Sequence, residues 1–505
     1  MIELSLREIA DIVGGTLVGG ADPDAAVTGN VEFDSRKIGP GDLFIAAAGG
    51  SVDGHDFVRQ AVEKHGAVAA IVTHDVGMPA ILVAPQGRSE STSDVYAHDE
   101  DGSMAAAIDA LSALAREVID RLAADGLTVV GVTGSAGKTS TKDLLASVLS
   151  QAGPTVAPPG SFNNELGHPY TALRCTPETS YLVAEMSARG IGHIAHLAQI
   201  APPRIGVELN VGSAHVGEFG SRENIAVAKG ELVEALPDAG AGGIAVLNAD
   251  DPFVAGMAPR TEARTLWYSA GHPVEGAPKP DVWATDITVG ADGCAEFSLN
   301  TADGITEIAL GIAGEHQVAN ALAAATGGLA VGLDLATVAQ ALCEHRAVSP
   351  HRMATFTRND GVTIIDDAYN ANPESMRAGI ESAVQSARSR AQDYPNARVY
   401  AVLGPMGELG SAATTAHREL GQWITQRHVA VTIGVGEDEL SHALVSGVTA
   451  NSSPGVTGFL VADKDAAVRY LHEHIRPGDV VLVKASNASH LWEVAEALNT
   501  SVSGA

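Results

Sequence analysis

The sequence predicts an α/β protein of three domains: a small α/β domain, a central parallel-sheet domain built on a phosphate loop, and a second α/β domain at the C-terminal end. Three observations carry this. Short β-rich apolar runs alternate with helical stretches through most of the chain, the pattern of buried parallel strands in α/β units. A length of 505 residues exceeds what one hydrophobic core supports. A glycine-rich turn ending in Gly137-Lys138-Thr139 stands between a strand-like run and a helix-like one.

In chain order, the runs read as strands are Asp42–Ala46, Ala67–Val72, Thr128–Val132, Tyr181–Glu185, Ile205–Leu209, Ile244–Leu247, Val362–Ile365, Arg398–Leu403, Val429–Ile433 and Asp479–Val483, each bounded by turn-forming residues. Between the second and third lies Pro85–Ser103, polar and acidic, with too few apolar side chains to bury a core; it reads as a loop or disordered insert. Met104–Ala124 follows as an amphipathic helix. A second break falls near Glu344–Pro350, after an alanine-rich helical stretch. The expected domains are therefore 1–100, with 85–103 as insert or linker, then 104–347 and 348–505. The polar tail Asn499–Ala505 is expected to fray.

Composition narrows the function. Sixty-one acidic against 31 basic residues give a net charge of -30, which argues against nucleic acid or an anionic membrane as partner. Cys175, Cys294 and Cys343 are few, odd in number and far apart, fitting a reducing compartment without disulfides or a cysteine metal site. The first residues lack a basic start followed by an apolar core, and no apolar run reaches the roughly 18 residues of a membrane span, so a soluble cytoplasmic protein is expected.

The phosphate loop is the most specific local signal. Glycines let the backbone curl so that N–H groups face phosphate oxygens, and the helix that opens at the loop adds positive potential. Gly134, Ser135, Ala136, Gly137, Lys138, Thr139 and Ser140 would line a nucleotide's phosphates; Lys138 would reach the terminal ones and the Thr139 hydroxyl would hold Mg²⁺. The strict pattern wants glycine at position 132, which is Val132; Gly131 and Gly134 are the glycines available.

Thr133-Gly-Ser-Ala-Gly-Lys-Thr139 resembles the phosphate loop of the Mur ligase family, where the first glycine is displaced in the same way. Further segments agree in order: Glu185 in Leu-Val-Ala-Glu-Met-Ser, His215 in Asn-Val-Gly-Ser-Ala-His-Val-Gly-Glu-Phe, Lys229 in Ala-Lys-Gly-Glu-Leu, His316 and Asn320 in His-Gln-Val-Ala-Asn, and Asp366-Asp-Ala-Tyr-Asn-Ala-Asn-Pro373. That last segment, with Leu403-Gly-Pro-Met-Gly-Glu-Leu-Gly410 and His417, is most similar to the branch that joins D-alanyl-D-alanine to a UDP-N-acetylmuramoyl tripeptide. Asp34-Ser-Arg-Lys, Gly41-Asp-Leu-Phe-Ile-Ala, Asp53-Gly-His-Asp-Phe57 and Phe162-Asn-Asn-Glu-Leu-Gly167 also resemble that branch.

The resemblance implies a uridine-binding first domain, a central ATPase domain and a Rossmann-like third domain that binds the amine substrate. It also implies ATP and two Mg²⁺ ions, with Thr139, Glu185, His215 and a carbamylated Lys229 as metal ligands. A plain lysine ammonium has no lone pair for a metal. His316, Asn320, Arg352, Asp367 and Tyr369 would contact ATP: Arg352 at the γ-phosphate, Asp367 at the ribose, Tyr369 near the adenine. The family's usual Gly-Arg reads His351-Arg352 here, and its Lys-Gly-Ser-Arg reads Lys484-Ala-Ser-Asn487. Ser35 and Arg36 would hold the uridine diphosphate, Asn163 and Asn164 the sugar–peptide, and His417 is a candidate to deprotonate the amine. The catalytic set is Lys138, Glu185, His215 and Lys229, acting through an acyl phosphate in a monomer engaged in peptidoglycan precursor synthesis. Other readings stay open: a sister ligase adding one amino acid, a folylpolyglutamate-synthetase-like ligase, or an ATP-dependent switch. For each residue a plainer role exists; Glu185 could cap a helix, and Lys229 could be a surface lysine paired with Glu231 or Glu234.

Overall fold

The computed structural model describes all residues except 48–51, 86, 88–93, 97–98, 213–215, 291, 451–454 and 501–505. His215, about half of the polar insert and the last five residues of the tail therefore lie outside the described residues.

All ten runs read as strands are strands, with ends displaced by a residue or two. Among the described residues they fall into three main sheets. The first domain holds five strands in spatial order Thr16–Val18, Ala80–Leu82, Ala69–Val72, Leu43–Ile45, Val31–Glu32, parallel except where Thr16–Val18 pairs with Ala80–Leu82. The third holds six: Ala354–Thr357, Thr363–Asp366, Val480–Lys484, Val399–Leu403, Val431–Val435, Thr457–Val461, parallel except at the first pair. Between them lies a nine-stranded sheet. Toward one edge, Thr128–Thr133 is flanked by Tyr181–Glu185 and Ile205–Glu208, all parallel and nearly all buried.

That sheet is extended by a feature the sequence reading left out. Val282–Val289, Cys294–Thr301 and Gly304–Ala313 form an antiparallel meander on one edge. Their exposed and buried residues partly alternate, because one face packs on the core and the other meets solvent.

Two helices position the phosphate loop. Lys138–Leu149 starts directly after Gly137, which takes φ 84°, a left-handed turn that glycine adopts without strain. Gln317–Ala330 lies against it. Ala321 and Ala323–Ala325 are buried, and Gly327 and Gly328 pass so close to Leu145 and Val148 that an added Cβ would come within 2.7 and 2.4 Å of them. This close approach brings Asn320 to the loop, 2.4 Å from where a Cβ on Gly137 would stand. The helix Ser103–Ala124 packs into a core that runs continuously from Leu43 and Ile71 of the first sheet to Val129 and Leu182 of the central one. The third domain has its own cores on the two faces of its sheet.

Candidate active site

A cavity of about 950 Å³ opens where the strands of the central sheet end and the third domain meets them. Ligands in doubly wound sheets bind at the carboxyl ends of strands, because loops there can diverge. All but one of the nucleotide-contact residues expected from the loop and its neighbours line it: Gly137 to Ser140, Ser135 and Ala136, His316, Asn320, Arg352, Asp367 and Tyr369. Gly134 stands just behind, its Cβ position 2.8 Å from Leu209. Val132 is still strand, with its side chain in the core, so the curl starts after it.

The loop is braced from the next strand. Asn210 accepts from the Ala136 N–H at 2.9 Å and donates to its carbonyl at 3.1 Å, and the Ser135 N–H donates to the Asn210 carbonyl at 3.0 Å. Lys138 Nζ donates to the Gly134 carbonyl at 2.7 Å. From Thr139 a chain of contacts crosses between domains. Its hydroxyl meets Ser161 Oγ at 2.9 Å and donates to Glu185 Oε1 at 3.3 Å, which also accepts from Asn163 Nδ2 at 2.7 Å. Ser161 in turn accepts from Arg352 Nη2 of the third domain at 2.8 Å.

Glu185 is 1 % exposed and its Oε2 has no hydrogen-bond partner, so it is not spent on capping a helix. A buried, half-used carboxylate beside a threonine hydroxyl is an oxygen-only donor set, which fits Mg²⁺. Lys229 is buried, not a surface lysine: Glu231 accepts from the Gly192 and Ala195 N–H groups and Glu234 pairs with Arg260. Burial pushes the Lys229 ammonium down to about 7, with Lys138 adding to the effect and Glu208 opposing it. Glu208 ends the Ile205–Glu208 strand, fully buried, with both carboxylate oxygens unpartnered; burial drives it well above the usual carboxylate range. Among the described residues no three His, Cys, Asp or Glu side chains form a ready-made metal cage.

On the third-domain side, charges are matched. Lys484 is 1 % exposed and donates to Asp367 Oδ2 at 2.5 Å and to the Asn370 carbonyl at 2.8 Å, while Asp367 Oδ1 accepts from the Met353 N–H. Tyr369 has its ring under the Arg352 guanidinium, 4.4 Å from the centroid, so it positions that arginine. His351 takes φ 57°, a left-handed conformation that glycine adopts without strain; its Nδ1 meets Asp366 at 2.7 Å and its ring stacks on Trp492.

Some expectations change. His417 is wholly buried: its Nε2 accepts from the Met406 N–H and its Nδ1 faces the Ala413 carbonyl, so both nitrogens are engaged and it does not reach the cavity to deprotonate an amine. Asn163 serves Glu185, and Asn164 accepts from the Gly167 N–H to start the next helix; both line the cavity. Ser35 and Arg36 do not line it. Arg36 is exposed and paired with Asp34, whose carboxyl it holds down to about 2. Among the cavity residues missed by sequence reasoning are Ser161, Asn210, Arg189 and Arg222. Only Asn210, directly after an apolar run, carried a signal.

Comparison with known proteins agrees with this architecture. Family models for the Mur ligase family catalytic domain, the Mur ligase middle domain and the Mur ligase glutamate ligase domain match residues 28–124, 132–327 and 351–487. A UDP-N-acetylmuramoyl-tripeptide–D-alanyl-D-alanine ligase of Mycobacterium tuberculosis is 49% identical over 99% of this chain and 98% of its own, and that of Escherichia coli is 33% identical over 99% of both. Among solved structures, MurF from Acinetobacter baumannii superposes with a TM-score of 0.81 at 28% identity over 99% of both chains. MurF from Thermotoga maritima, solved in complex with ADP, reaches 0.74 at 29% identity over 94% of this chain and 98% of that one. With three matched domains in family order and near-full-length relatives, the chain belongs to the Mur ligase family.

Proposed function

We propose that this chain joins D-alanyl-D-alanine to a UDP-N-acetylmuramoyl tripeptide at the expense of ATP, releasing ADP and phosphate, in peptidoglycan precursor synthesis. The single observation that carries it is the near-full-length similarity to ligases of that name, on a chain whose phosphate loop, Glu185 and third-domain Arg352 meet in one cavity.

A carboxylate and an amine form a salt in water, not an amide. The tripeptide carboxylate attacks the γ-phosphoryl group, giving an acyl phosphate, and the amine then displaces phosphate. Lys138 and the backbone N–H groups of Gly134–Thr139 hold the phosphates, and Arg352, steadied by Ser161 and Tyr369, faces them from the third domain. Asn320 presses on the loop and keeps its curl. His316 and Asp367 line the nucleotide's side, and Asn163 and Asn164 the side of the sugar–peptide. Ser35 and Arg36, outside the cavity, hold the distal uridine diphosphate. Thr139 and Glu185 would hold one Mg²⁺, and Lys229, once carbamylated, would hold a second with His215; bound magnesium would neutralise charge on the transferring phosphoryl group. The low proton affinity of Lys229 leaves much of its amine neutral near pH 7, the form whose lone pair attacks carbon dioxide.

One chain suffices, since a single cavity draws walls from the central and third domains; we assign it to the cytoplasm as a monomer. No described helix is long and apolar enough to cross a membrane. Domain limits near residues 100 and 347 are supported by the separate sheets. The test is phosphate release with UDP-muramoyl tripeptide, with and without the dipeptide, and product mass. Release that needs both, with a pentapeptide product, is the expected result; product with a single amino acid only would move the chain to a sister activity.

A further inference from the structure

We infer that Glu408 is the group that receives the ammonium of the incoming dipeptide and takes up its proton, with Arg189 as the cation that holds Glu408 over the reaction centre. The inference rests on the ligation proposed above.

Glu408 lies in the Leu403–Gly410 segment of the third domain, which no step so far uses. Its backbone takes φ 62°, a left-handed conformation that costs a non-glycine residue and persists only where surrounding structure imposes it. The imposing contacts come from two domains. The Gly407 N–H donates to the Ala371 carbonyl at 3.3 Å, and Gly217 of the central domain packs so tightly that an added Cβ would stand 2.8 Å from the Leu409 carbonyl carbon and oxygen. Glu408 is thereby aimed into the cavity, where Oε1 accepts from Arg189 Nη2 at 2.5 Å. Arg189 follows the strand that ends in Glu185, so the pair joins the third domain to the magnesium side of the site. The Glu408 charge is within electrostatic reach of the Lys138 ammonium, as are Glu185 and Arg352.

Other third-domain groups are placed differently. Asp367 has both oxygens engaged, by Lys484 and by the Met353 N–H; Glu374 abuts Gly212; His417 is sealed in its own core. Only Glu408, among these, lies within reach of Lys138 and in contact with a cation of the opposite wall.

The chemistry requires such a group. The dipeptide arrives as an ammonium, whose nitrogen has no lone pair. One proton must leave before the C–N bond forms, and a second leaves as the C–O bond to phosphate breaks. One ends on the released hydrogen phosphate; the other passes through Glu408 to solvent. A carboxylate both draws the ammonium in and accepts the proton.

The test is Glu408→Gln in the full chain, with wild type and Glu408→Asp beside it. Two reactions are read: dipeptide ligation, and hydroxylamine trapping of the acyl phosphate without dipeptide. Expected for Glu408→Gln is a loss of about 100-fold in ligation, smaller for Glu408→Asp, with hydroxamate formation within about twofold of wild type. The ligation loss should shrink as pH rises through about 8, where the amine deprotonates unaided. Wild-type ligation in Glu408→Gln, or an equal fall in hydroxamate formation, overturns the inference. Should Glu408→Gln not fold, Glu408→Asp decides by the ratio of its two rates, an unchanged ratio overturning the inference. A wild-type chain that makes hydroxamate but no dipeptide adduct would instead overturn the dipeptide reading itself, and this inference with it.

Discussion

On the central-domain side of the cavity, Glu208 is buried with both oxygens unpartnered, Glu185 keeps one oxygen unpaired, and Lys229 has no hydrogen bond among the described residues. On the third-domain side, buried and half-buried charge is matched: Lys484 with Asp367, and His351 with Asp366. Buried polar groups in native proteins are nearly always bonded, and those left short mark places where a ligand completes the set. The central domain is built to be finished by nucleotide and cation. The third keeps these acid–base pairs matched, leaves Arg352 Nε without a partner, and presents Arg352 and Glu408 from across the cleft.

The largest effect should come from the unfinished side. Lys138→Ala or Glu185→Ala should lower ligation by about 10⁴-fold, or ~5 kcal/mol in the transition state, with little change in melting temperature. Retained ligation in either variant would remove the comparison's functional half. On the matched side the order reverses, stability suffering first. Lys484→Met leaves Asp367 uncompensated and should cost about 4 kcal/mol in denaturant unfolding, much of it recovered when Asp367→Leu is added. If the single variant unfolds like wild type, the pair is not what stiffens that domain.

A third prediction uses pH. His168 is buried in the central domain with Nε2 unpartnered, and burial holds it down to about 4. Its folded affinity for protons is below the unfolded value, so its contribution is full above pH 6.5 and is lost as pH falls toward 4. The loss should approach about 3 kcal/mol, and His168→Leu should lack it when unfolding is compared at pH 7 and 4.5. The smallest effect belongs to Arg36, which is exposed and tied only to Asp34. Arg36→Ala should leave melting unchanged yet raise KM for the nucleotide sugar by about tenfold. An unchanged KM would take the uridine diphosphate away from this segment.

Much of this was legible in the residues. Buried parallel strands read as continuous apolar runs, and Gly-Lys-Thr between strand and helix announces a phosphate loop whatever the distant fold. Less legible was the antiparallel meander over 282–313, where half-exposed strands give a weaker, mixed pattern. Glu208 sat unnoticed inside the run Ile205–Leu209, although a carboxylate in a buried strand is itself a signal. Lys484 was read only as a departure from a motif; that it clamps Asp367 depends on two strands side by side and 117 residues apart in sequence.

What the sequence by itself determined is the local chemistry: which runs form strands, where the backbone curls to meet phosphate, and which side chains are able to bind a cation. Burial and partnership were decided only by tertiary structure. Whether Lys229 stays a surface ammonium or becomes a buried amine, whether His417 faces substrate or a core, and whether Glu408 meets Arg189 all depend on what other segments place around them. Those are differences in solvation and distance, and a charge's energy is set by its surroundings more than by its own covalent formula.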